Sequence, residues 1–102
     1  MPTLKKLLET LHESTKLSSA EEIKSACELI IEVQDMNNAE RDCIVASYEV
    51  GPLFDGDVPS KTGRDKLIEM GYMAKVVVNG GDGFNACTHK GAWAYRILKA
   101  SE

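Results

Sequence analysis

Apolar residues recur at helical spacing through the first half of the chain, give way to a β-branched run, and then return to helical spacing. In TLKKLLETLHESTK, Leu4, Leu7, Leu8 and Leu11 form the i, i+3, i+4, i+7 stripe of an amphipathic helix. Thr3 is placed to cap it and Pro2 to stiffen its start. LSSAEEIKSACELIIEVQD predicts a second helix, with Ser18 or Ser19 as cap and Glu21 and Glu22 where the helix dipole favours acid. Its inward side should hold Ile23, Ala26, Cys27, Ile30 and Val33. Asn37 and Asn38 interrupt the pattern. A third helix, AERDCIVASYEV, runs to a stop at Gly51 and Pro52, with Cys43, Ile44, Ser47, Tyr48 and Val50 expected on its buried side.

LFDGDVPS is dense in turn residues, is bounded by Pro52 and Pro59, and reads as a loop. KTGRDKLIEM predicts a helix capped by Ser60 or Thr62, ended by Gly71, with Leu67, Ile68 and Met70 on its apolar side. YMAKVVV is a β-branched run, NGGDG a hairpin tip, and FNACT the return strand. Residues 73–78 and 84–87 should therefore pair as an antiparallel hairpin. HKGAWAYRILKA closes the chain as a helix offering Trp93, Ile97 and Leu98 to the core, with Trp93 expected against Ile44 and Tyr48. The pattern predicts a mainly α protein with one small antiparallel β-hairpin.

Length bounds this to one domain of 102 residues. Residues 1–36 are read as a helical extension and residues 39–99 as the core. No apolar run approaches the roughly 20 residues of a membrane helix, and the first residues lack the unbroken apolar stretch of a signal peptide. A cytoplasmic protein without membrane contact is expected. Cys27, Cys43 and Cys87 are odd in number, widely spaced and without a CxxC pair, so each reads as a small buried apolar residue rather than a disulfide or zinc ligand.

Charge changes the picture more. The net charge is −4, and all of it lies in residues 1–40, which hold four Lys and eight Asp or Glu. Residues 41–102 hold eight Lys or Arg against eight Asp or Glu, so a local basic face is open to them.

RDKLIEMGYM, followed by a hairpin and then THKGAWAYRIL, resembles the winged-helix family of DNA-binding domains, over roughly residues 39–99. The positions that carry the resemblance are Leu67, Gly71, Tyr72, Thr88 and Gly91. It implies that the helix before the wing enters the major groove and that the wing rests on the flanking backbone. Lys61, Thr62, Arg64 and Lys66 would then be the contacts on the helix, and Lys75 and Asn79 those on the wing. Arg64 would matter most, as an exposed cation whose loss leaves stability unchanged. The implied function is a small transcriptional regulator, from a phage or other mobile element, that binds double-stranded DNA as a homodimer through its N-terminal helices. The alternative is a winged-helix protein-interaction module that binds no DNA. Surface charge separates the two: a continuous positive face along the Lys61 helix and the wing favours DNA, and neutralised charge favours the module. Two features depart from the family pattern. LFDGDVPS leaves little room for the short helix that normally precedes the recognition helix, and Asp55 and Asp57 would repel phosphate nearby.

No catalytic, metal or cofactor site is expected. The glycine tip joins two strands and contains no GxxxxGK[ST], so it is not a phosphate loop. GGDGF lacks the acidic fourth residue of the GGDEF signature of diguanylate cyclases. Cys87 and His89 stand two apart without further ligands near them in sequence. Asp55, Asp57 and Asp65 have no base or nucleophile paired with them in the sequence.

Overall fold

The computed structural model describes residues 20–101. In order these are α1 (Ala20–Gln34), α2 (Asn38–Glu49), β1 (Leu53–Phe54), one 3-10 turn (Asp55–Asp57), α3 (Lys61–Glu69), β2 (Met73–Asn79), β3 (Asp82–Cys87) and α4 (His89–Ala100). The described residues are mainly helical with a small antiparallel sheet. The expected first helix, including its share of the proposed dimer contact, lies outside them. The chain divides into two compact units. One comprises Asn37–Tyr95; the other takes the described residues up to Met36 together with those from Arg96 onwards.

In the smaller unit, α1 buries Ala26, Ile30 and Val33, spaced four and three apart on one face, and Met36 follows them inward. Ile23 belongs to the expected face but is 41% exposed. Ile97, near the end of α4, is also buried.

In Asn37–Tyr95 the local signals are clear. The two asparagines that break the pattern begin α2 with a capping box: Asn37 Oδ1 accepts from the Glu40 N–H at 2.8 Å, and Glu40 returns the bond to the Asn37 N–H. α2 buries Cys43, Ile44 and Ser47. Tyr48 and Val50, expected beside them, are exposed: Tyr48 lies at the rim of that face, stacked on Tyr95, and Val50 is the C-cap residue beyond the last turn of the helix. Ser60 caps α3 through the Gly63 N–H at 3.0 Å. Gly71 ends it at φ 87°, a conformation glycine adopts without strain, and lets Tyr72 N–H reach back to the Leu67 carbonyl. Thr88 caps α4 through the Gly91 N–H and donates its own proton to the Gly71 carbonyl at 2.6 Å.

The hairpin forms as expected, with Met73 opposite Cys87, Val76 opposite Phe84 and Asn79 opposite Asp82. Its turn is shorter than the five-residue tip read from the sequence. Gly80 and Gly81 alone make it, at φ 54° and 95°, the positive values that a two-residue hairpin turn requires. The sheet also has a third strand. Leu53 and Phe54, expected in a loop, pair with Asn85 and Phe84, giving the order β1-β3-β2. The rest of that expected loop is the 3-10 turn and a short extended stretch. A strand of two residues has no periodicity to detect; it exists because β3 offers it an edge.

α2 packs on α3 and on β3, and α3 packs on β2. Cys43, Ile44, Leu67, Tyr72, Met73 and Ala94 fill the core of this unit, each full burial stabilising by about 1.5–3 kcal/mol for the larger side chains. Ser47 Oγ lies 2.7 Å from the Cys43 carbonyl and 3.0 Å from Cys87 Sγ, tying β3 to α2. Trp93 does not take the fully buried place expected for it. It is half-buried, and its indole N–H donates to His89 Nε2 at 3.0 Å. The ring stacked on Tyr48 is that of Tyr95, with centroids 4.0 Å apart. Two positions along a helix are a rotation of about 200°, so Trp93 and Tyr95 face nearly opposite ways and only one of them can meet Tyr48.

Candidate functional site

The residues nominated for DNA contact lie on α3 and the hairpin, and the structure divides them sharply. Lys61, Thr62 and Lys66 are exposed along α3, with Asp65 and Glu69 exposed among them. Asn79 is exposed at the end of the hairpin. Arg64 is not an exposed cation: it is only 8% accessible, on the face of α3 that also buries Gly63 and Leu67. This corrects the expectation that its loss would leave stability unchanged.

Arg64 points into a polar cluster beneath the sheet, centred on Asp55. Asp55 Oδ1 accepts from Arg64 Nη1 at 2.9 Å and from Asn85 Nδ2 at 2.9 Å. Asp55 Oδ2 takes Lys75 Nζ at 2.8 Å and the Gly83 N–H at 3.2 Å. Arg64 Nε donates to Asp65 Oδ1 at 2.7 Å, and Asn85 Nδ2 also reaches the Leu53 carbonyl at 3.1 Å. Asn85 is fully buried. With Arg64 Nη1 also donating to Asn85 Oδ1 at 3.4 Å, six donor bonds join the 3-10 turn, α3, β1, β2 and β3 at one carboxylate and its neighbouring amide. These interactions, led by the Lys75 ammonium and then the Asn85 amide, hold the Asp55 carboxyl well below the usual carboxylate range.

The register explains why the cluster forms. Leu53, Asn85 and Lys75 stand opposite one another across the three strands and so share the inner face. Asp55 follows β1 directly and enters the same space. Arg64 arrives from α3, three residues before Leu67, and that spacing was the available clue to its burial. Arg64, given the leading DNA role, and Lys75, the cation expected on the wing, are both spent on one internal carboxylate.

The outer face of the sheet is the reverse. Phe54, Phe84 and Val76 are opposite one another across the strands, and Phe54 meets Phe84 edge to face at 5.4 Å. Val76, Phe84 and Phe54 on this face are 66%, 42% and 38% exposed; Val77, opposite Gly83 on the other side, and Val78, at the bulge before the turn, are also 60% and 57% exposed. No charged side chain interrupts the run from Val76 to Val78. The unit Asn37–Tyr95 as a whole holds six Lys or Arg against eight Asp or Glu, a net −2.

Elsewhere the polar groups at the surface serve the fold. Lys90 Nζ donates to the Met70 carbonyl at 2.9 Å and sits over the Tyr72 ring, 4.4 Å from its centroid. His89 Nε2 is the acceptor for Trp93. Burial raises the Cys87 thiol above its ordinary range, with Ser47 partly opposing the shift, so Cys87 is a packed thiol rather than a poised thiolate. Among the described residues no three His, Cys, Asp or Glu side chains are grouped as metal ligands would be. No helix among them is long and apolar enough to cross a membrane.

The fold and surface define a small, mainly helical protein with a three-stranded antiparallel sheet, an internal ion-pair cluster and an apolar hairpin. No protein-family model, curated protein or solved structure matches the chain.

Proposed function

We propose that this chain is a winged-helix-like protein-interaction module, acting in the cytoplasm and without a catalytic role. The element order from α2 onwards supports the winged-helix reading: helix, short strand, turn, helix ended by glycine, hairpin and closing helix. The observation that carries the choice of a protein partner is the neutralisation of Arg64 and Lys75 by Asp55. A DNA-binding wing presents cations to phosphate. This one presents valine and phenylalanine, and a net −2 unit surrounds it. The unpaired thiols of Cys27, Cys43 and Cys87 are in keeping with a reducing compartment.

The DNA-binding regulator is the second reading, favoured by the exposure of Lys61, Thr62 and Lys66 on consecutive turns of α3. Asp65 and Glu69 on the same exposed side weaken it. An electrophoretic shift of random duplex at low salt separates the two, because phosphate contacts are strongest there. The protein should not retard duplex. Retardation that disappears on combining Lys61→Ala with Lys66→Ala would replace the interaction module with the DNA-binding regulator.

A further inference from the structure

The hairpin turn carries a reactive pair that neither the polar cluster nor the apolar face uses. Asn79, the last residue of β2, is exposed, and Gly80 follows it at φ 54°. The main-chain nitrogen after an asparagine can attack the side-chain amide carbon and close a five-membered ring. Glycine, with no Cβ, leaves that approach open. A folded chain permits the attack where the nitrogen is not tied up in a hydrogen bond and the side chain can turn onto it. Among the described residues, the Gly80 N–H has no main-chain acceptor, and no hydrogen bond or ion pair holds the Asn79 amide. A register shift separates Asn79 from Val77, so the regular stretch of the strand ends before it.

The same chemistry is closed elsewhere in the chain. Of the three other asparagines, Asn37 is tied into the capping box of α2, and Asn37 and Asn38 are followed by Asn38 and Ala39 rather than glycine. Asn85 is fully buried, donates to Leu53 and Asp55, and precedes Ala86. Aspartates before glycine can form the same ring more slowly, but Gly83, after Asp82, donates its N–H to Asp55. Asp55 itself, before Gly56, is held by Arg64, Lys75, Asn85 and Gly83.

We infer that Asn79 is a site of spontaneous covalent modification, losing its side-chain amide to the main-chain nitrogen of Gly80. Solvent base takes the Gly80 amide proton, the nitrogen bonds to Asn79 Cγ, and the Cγ–Nδ2 bond breaks with departure of ammonia. Water then opens the cyclic imide at either carbonyl, leaving aspartate or isoaspartate. Asparagine and water become aspartate and ammonia, with no oxidant and no enzyme. The aspartate product adds a negative charge opposite Asp82, its partner across the strands, where like charges weaken pairing. The isoaspartate product also lengthens the main chain by one carbon at a turn of only two residues. The tip of the wing thereby exchanges a neutral amide for a carboxylate, whichever partner the module takes.

Peptide mapping by mass spectrometry, on the full chain aged in mildly alkaline buffer, tests this. Cleavage after Lys75 and Lys90 releases residues 76–90, which contain both Asn79 and Asn85, so the peptide carries its own control. Each conversion adds about 1 Da, and fragment ions assign it to one residue or the other. Asn79 should convert at least about tenfold faster than Asn85 in the native protein, and within about tenfold of its own rate in guanidinium, because an exposed turn is little protected. Gly80→Ala should slow the loss at least about tenfold even in guanidinium, where folding plays no part, because its methyl group obstructs the attacking nitrogen. Asn79 that survives in native buffer while converting in guanidinium overturns the inference. So do equal rates at Asn79 and Asn85, or an unchanged rate in Gly80→Ala. Asn79→Asp, which imitates one product, should lower the thermal midpoint, and adding Asp82→Asn should restore it. An unchanged midpoint in Asn79→Asp would overturn the weakening of the hairpin by opposed charge.

Discussion

The two faces of one small sheet invert the usual arrangement of charge and oil. Inside, Asp55, Arg64, Lys75 and Asn85 are gathered beneath the strands. Outside, Val76, Phe84 and Phe54 face solvent. The inner cluster is tolerable because its donors and acceptors are matched: the carboxylate takes two cations, a side-chain amide and a main-chain N–H. The outer face has no such internal account. The contrast teaches where to look for function, since a satisfied polar cluster holds a fold together, while an unsatisfied apolar face asks for a partner.

The comparison is most easily broken at Arg64. Arg64→Ala leaves Asp55 with Lys75 as its only cation and opens a gap beside Leu67, so unfolding by denaturant should show a loss of about 3 kcal/mol. A loss under about 0.5 kcal/mol would return Arg64 to the class of exposed surface charges.

Acid should act on the same face. The folded-state pKa of Asp55 lies below its unfolded value of 3.8, so the cluster's contribution is present above that pH and fades as pH falls below it. Urea midpoints measured at neutral pH and near pH 3 should therefore fall for the parent. In Asp55→Asn the neutral-pH midpoint should be lower from the start, and the further acid-induced fall smaller. Equal acid sensitivity in the two proteins would mean that other carboxylates govern the transition.

Trp93 lies between the extremes, half-buried and bonded to His89. Trp93→Ala should cost about 2 kcal/mol, less than the roughly 3–5 kcal/mol of a fully buried tryptophan. A loss in that upper range would show the indole to be a core element after all. The outer valines should matter least to the isolated fold. Val76→Lys and Val78→Lys, each measured at a concentration where the protein is monomeric, should change stability by no more than about 0.5 kcal/mol. A larger loss would mean that the face is covered within a single chain.

Much of this organisation follows from short-range pattern. The β-branched run with Asn-Gly after it determined the hairpin, Gly71 and Thr88 marked the end of one helix and the start of another, and Ser60 marked the start of α3. Each signal acts within four or five residues, the reach of a helical turn or a tight hairpin, so the sequence alone suffices to locate it. The three valines told of a strand but not of the apolar outer face, because Val77 lies on the other side from Val76, and Phe84 and Phe54 join Val76 only through strand pairing.

What only the tertiary structure decided spans longer separations. β1 has two residues and exists through pairing with a strand some thirty positions away. The cluster joins residues 55, 64, 75 and 85 from four separate elements, and none of them carries a local sign of the others. Arg64 shows the limit most clearly. Its place three residues before Leu67 told which way it faces, but an arginine is turned inward at tolerable cost only when a carboxylate waits there. Asp55 waits because β1 pairs with β3, and that pairing is a property of the folded chain rather than of any segment of it.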